Sequence, residues 1–151
     1  MRNSAIKHFI RITFALYCFV MLWLLFHRAH GAERSYNLIP LYTIRGYFDI
    51  FSRFDSYGGG LKLYAVINFG GNIFLFVPLG IFLPLLFTGE RRFWVFALTV
   101  ILLISAVEAV QYITYTGAMD IDDLFLNTFG ACIGYLIWRR NWADLRGKPR
   151  N

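Results

Sequence analysis

The sequence is short of charge, and of acid above all: Asp, Glu, Lys and Arg make up 16% of its 151 residues, and 15 of them are basic against 9 acidic. With 58% hydrophobic and 19% aromatic residues and a mean hydropathy of +0.51, too little polar surface exists to coat a soluble domain. Cysteine is scarce. Cys18 and Cys132 both fall inside apolar runs, where they read as small hydrophobes rather than as a disulfide or a metal finger. P-loop, nucleophile-elbow and zinc-enzyme signatures are missing, as are internal repeats and low-complexity segments.

What is present is a series of long apolar runs. They predict an all-α integral membrane bundle of about four transmembrane helices, near 9–27, 63–87, 93–115 and 121–138. They form a single domain over 1–151, with 139–151 as a basic cytoplasmic tail. Residues 27–62 form a polar connection in which Ile44, Tyr47, Phe48, Phe51 and Phe54 share one helical face and Arg45, Asp49, Ser52 and Arg53 the other. That pattern predicts a short amphipathic helix at about 43–54, lying in the extracellular interface, with Gly58, Gly59 and Gly60 as a flexible end. Pro78 and Pro84 sit inside the second span, where neighbouring helices make them tolerable.

The net charge of +6 would raise nucleic acid as a partner of a soluble protein, but the basic residues cluster at span ends and exclude it. Arg2, Lys7 and Arg11, then Arg91 and Arg92, then Arg139, Arg140, Arg146, Lys148 and Arg150 place both termini in the cytoplasm of a multi-pass cell-membrane protein. The first connection opposes this orientation, since it carries Arg28, Arg34, Arg45, Arg53 and Lys62. A rival to the first span is a signal peptide cleaved near Ala29-His30-Gly31. His27 and His30 read as interfacial side chains rather than metal ligands, and Trp23, Trp94, Trp138 and Trp142 as an aromatic belt.

Polar residues recur on one face of each later span: Asn68 and Asn72 on the second, Ser105, Glu108, Gln111 and Tyr112 on the third, Asp120, Asp123 and Asn127 on the fourth. Gly130 and Gly134 continue the last stripe as a small-xxx-small surface. A carboxylate at membrane depth costs about 2.5 to 3.5 kcal/mol, so Glu108 is expected to face the bundle interior and hold a partner. At about 1.5 Å per residue all these groups fall in the outer half of the bilayer. Asp120 and Asp122 also suit capping of the fourth helix.

Asn37-Leu38-Ile39-Pro40, Asn72-Ile73-Phe74-Leu75-Phe76-Val77-Pro78-Leu79-Gly80, then Ser105 with Glu108 and Gln111, then Asp120-Ile121-Asp122-Asp123 with Asn127 and Gly130, together resemble the VanZ-like family of teicoplanin resistance membrane proteins. The resemblance spans about residues 36 to 138. It implies a bacterial cell-envelope protein connected with tolerance of teicoplanin-type glycopeptides. Gly117-Ala118-Met119 stands where many relatives carry an arginine.

The expected function is non-enzymatic. An outward-facing pocket of Asn68, Asn72, Glu108, Gln111, Asp120, Asp123 and Asn127 binds a lipid-linked cell-wall component or the lipoglycopeptide drug, with the bilayer as the other partner and no cofactor. The alternative is a membrane enzyme acting on a phospholipid or polyprenyl-linked precursor, with Glu108 and Asp123 catalytic and Glu108, Asp120 and Asp123 as oxygen ligands for Mg²⁺. A channel or transporter would need oligomerisation, since no inverted repeat is present; a homo-oligomer stays open.

Overall fold

A computed structural model of the chain describes residues 4–27, 36–53 and 57–147, with side chains described through residue 141. In lipid, a backbone can satisfy its polar groups within one segment only as a helix. Accordingly α1 (Ser4–His27), α3 (Gly59–Leu86) and α4 (Phe93–Thr114) are each long and apolar enough to cross a membrane. Between α1 and α3 lies the shorter α2 (Tyr42–Ser52), and α5 (Ile121–Gly147) follows α4. Among the described residues these three helices alone are long and apolar enough to cross a membrane; α5 carries Asp122, Asp123 and Asn127 in its first turns.

The helix limits differ from expectation in three places. Helix α1 already begins at Ser4. Gly59 and Gly60, expected in a flexible end, form the first turn of α3 behind Gly58 as N-cap, a position where glycine is tolerated. Helix α5 continues through residues expected as a tail, because Arg139 to Arg146 hold no breaker before Gly147 and Pro149. Pro78 and Pro84 lie within α3. His30, Phe54 and the proposed cleavage site at Ala29-His30-Gly31 lie outside the described residues.

Helices α3 and α5 run side by side in the same direction and touch backbone to backbone. A Cβ added at Gly80 would stand 1.9 Å from the Ala131 carbonyl oxygen, at Gly130 2.1 Å from that of Ile73, and at Gly134 2.0 Å from that of Val77. Only hydrogen fits there. Lipid supplies no hydrophobic force to press helices together, so close approach through small residues supplies the dispersion contact instead. Helix α4 packs antiparallel, with Phe96 against Tyr135 at 4.6 Å between ring centroids and the Tyr135 hydroxyl donating to the Arg91 carbonyl at 2.7 Å. Trp138, expected in an interfacial belt, is buried in this core instead, because the face that presents Ala131 and Tyr135 also carries residue 138.

Helix α1 runs antiparallel to α3, with the rings of Phe14 and Tyr17 tilted against Phe82. It is the least embedded of the three spans: Met21 is its one buried residue among those described, whereas α3 buries Ala65, Asn72, Phe76, Leu79, Gly80, Leu83 and Pro84. Trp23 and His27 stack on each other at its end. Directions alternate, so Lys7, Arg11, Arg91, Arg92, Arg139 and Arg140 gather at one end of the bundle. At the opposite end α2 docks Tyr47 onto Ala65 and Leu126, while Phe48 and Phe51 meet Phe69 edge-on. There too Tyr36–Asn37 (β1) and Met119–Asp120 (β2) form a short parallel pair, an element that period-two patterning over so few residues does not announce.

Candidate functional site

The site is built where α4 ends. Tyr115 takes the left-handed conformation at φ 58°, and the Thr116 N–H returns to the Gln111 carbonyl at 3.0 Å, closing the helix. The chain then passes Gly117, where a Cβ would lie 3.3 Å from Gln111 Nε2, and enters β2. Gly117 thus packs closely on Gln111.

Asp120 caps α5 as expected, its Oδ1 accepting the Asp122 N–H at 2.8 Å. The same carboxylate accepts Asn37 Nδ2 at 3.2 Å and Thr43 Oγ1 at 2.6 Å. It therefore joins β1, α2 and α5. Asp122 departs from expectation. Its side chain is 0% exposed and caps not its own helix but α2, accepting the N–H groups of Leu41 at 2.6 Å, Thr43 at 2.8 Å and Ile44 at 3.1 Å. Leu41, at φ 65°, turns the backbone so that the orphan donors of the first turn converge on one carboxylate. A helix N-terminus is positive and a carboxylate there is favoured, but sequence spacing could not reveal that the helix in question lies some 80 residues upstream, a separation of 78 to the Ile44 donor.

Behind this capped end lie Glu108, 6% exposed, and Asn127, 3% exposed. Glu108 Oε2 accepts the Asp120 N–H at 3.2 Å. Asn72 Nδ2 donates to Asp123 Oδ1, tying α3 to α5. Asn127 Oδ1 is buried without a hydrogen-bond partner among the described residues, a state that costs about 1–3 kcal/mol inside protein. Asn72 and Asp123 are thus joined across α3 and α5, Glu108 of α4 holds the backbone that starts α5, and Asn127 lies one turn beyond Asp123 on α5.

Other expected members go elsewhere. Gln111 Nε2 donates to the Leu25 carbonyl at 2.8 Å and holds the end of α1. Asn68 Nδ2 donates to Tyr64 of its own helix at 2.7 Å, and Ser105 is exposed, because the buried face of α4 follows Ile104, Glu108 and Gln111. Among the described residues no three His, Cys, Asp or Glu side chains converge as metal ligands would. A groove of about 370 Å³ adjoins the cluster between α1 and α3, with Asn72 in its wall.

Three apolar spans around buried carboxylates and amides define a multi-pass helical membrane protein with a polar site at one end of its bundle. The VanZ/LLP1 family model matches residues 14–143; the chain belongs to that family. Comparison with curated proteins and with solved structures returned no match.

Proposed function

We propose that the protein is a bacterial cell-envelope component that contributes to tolerance of teicoplanin-type glycopeptides. In this reading Asn72, Glu108, Asp123 and Asn127 bind a lipid-linked envelope component or the lipid-anchored drug at the outer leaflet. Helix α5 supplies the fourth span, both termini are cytoplasmic and α2 is extracellular. Family membership supports the connection with glycopeptide resistance. The observation that carries the binding claim is the buried Asn127 acceptor without a donor, one turn from an Asp123 already engaged with Asn72. A buried acceptor of this kind is open to a donor from a bound water or ligand, and intramembrane carboxylates commonly mark functional sites. Asp120 and Asp122 serve as scaffold.

Expression in a glycopeptide-sensitive Gram-positive host tests this. The inhibitory concentration of teicoplanin should rise more than that of vancomycin, and Asp123→Asn should abolish the rise at unchanged membrane abundance. No rise with the native chain would overturn the resistance role.

A further inference from the structure

We propose that the groove between α1 and α3 holds one acyl chain of a membrane phospholipid, admitted sideways from the bilayer, with the headgroup at the carboxylate end of the bundle. The proposal rests on the reading above only in assigning the headgroup end.

Leu24, Leu25, Ile67, Phe74 and Leu75 make the walls apolar, and Asn72 is the polar exception. From Ile67 to Leu75 the groove follows α3 for about 12 Å at the helical rise, and about 370 Å³ lies within the range of small-ligand sites. It lies between two helices apolar enough to span, so its neighbour outside the protein is hydrocarbon rather than water. Gly71 lines it too, and a Cβ there would meet nothing within 4 Å. This glycine differs from Gly80, Gly130 and Gly134, which helix contact demands; it leaves a hollow.

Helix α1, the outer wall, is fastened at both sides of the groove by its lining residues. The Tyr17 hydroxyl donates to the Leu75 carbonyl at 2.7 Å, and Gln111 donates to that of Leu25 at 2.8 Å. Two side-chain bonds hold a shallowly embedded helix while leaving the space between unfilled. The inner wall touches acid, since Asn72 is bonded to Asp123.

The test uses the full chain in phosphatidylglycerol vesicles containing a trace of phosphatidylethanolamine with a photoreactive diazirine on one acyl chain; adducts are mapped by mass spectrometry. Ile67, Phe74 and Leu75 should be labelled several-fold above Leu98 and Leu102, which face outward on α4. Gly71→Phe, which has room, should cut groove labelling by roughly fivefold or more, equivalent to about 1 kcal/mol, with an unchanged melting temperature. If that variant unfolds, Ile67→Trp plugs the same groove from its exposed end. Equal labelling on α4 and in the groove, or groove labelling that survives a folded plug variant, overturns the proposal. Loss of tolerance in Asp123→Asn with an unlabelled groove would sink the chain site and leave the polar-site reading standing.

Discussion

Asp122 and Asp123 are adjacent in sequence and opposite in task. Asp122 is enclosed and accepts three backbone N–H groups, so Asp122→Ala strands those donors and should cost about 2–4 kcal/mol. Thermal unfolding in detergent should show the loss, with hydrogen exchange quickened first at Leu41, Thr43 and Ile44. Asp123→Asn, by contrast, should leave stability within about 1 kcal/mol. The sequence separated Asp122, as a cap, from Asp123, on the polar stripe, but that Asp122 caps α2 rather than its own helix depends on the position of α2, and local spacing carries no such information. Glu108 was more legible, since a carboxylate at membrane depth must face protein.

A second residue-scale expectation concerns Tyr57, outside the spans. Its hydroxyl donates to Asp49, and that bond, ahead of desolvation and the Asp49 charge, raises the phenol above its ordinary value of about 10. Losing the proton breaks the bond, so its contribution to folding is present below the ordinary phenol value and disappears as pH climbs through the raised one. Phenolate absorbance should show a late-titrating tyrosine that Asp49→Asn returns towards normal. Arg53, paired with Asp49 at 3.0 Å, offsets the shift in part.

Among the elements, the α3–α5 pair bears the tightest constraint. Gly134→Leu places a branched side chain where hydrogen alone fits; overpacking should cost about 3 kcal/mol or more and is measured as lost monodisperse protein after extraction. Gly71→Ala should be neutral. The Gly130 and Gly134 stripe was readable because small-xxx-small spacing has one mechanical meaning. Ser105 was misread because the buried stripe of α4 is narrow and follows Ile104, Glu108 and Gln111, and Trp138 because nearness to a helix end does not say which face meets a neighbour.

For the whole molecule, alternating helices put the basic groups Lys7, Arg11, Arg91, Arg92, Arg139 and Arg140 at one end and the acidic site at the other. Single cysteines in a background lacking Cys18 and Cys132 give the sidedness: Arg91→Cys should react with a membrane-impermeant maleimide only after the cells are opened, and Tyr42→Cys in intact cells. The reverse pattern would place the polar site inside the cell. Apolar runs made the three long helices legible from composition alone, whereas the arginines of the first connection blurred the orientation.

The pairing of Asn37 with Asp120 also orders biogenesis. Residues that leave the ribosome early must wait, half-built, until two further long helices, α3 and α4, have been synthesised before their hydrogen-bond partners exist. A chain arrested after α4 would have all three long apolar helices made and yet lack the carboxylates that start α2, so α5 decides whether the first connection acquires its shape.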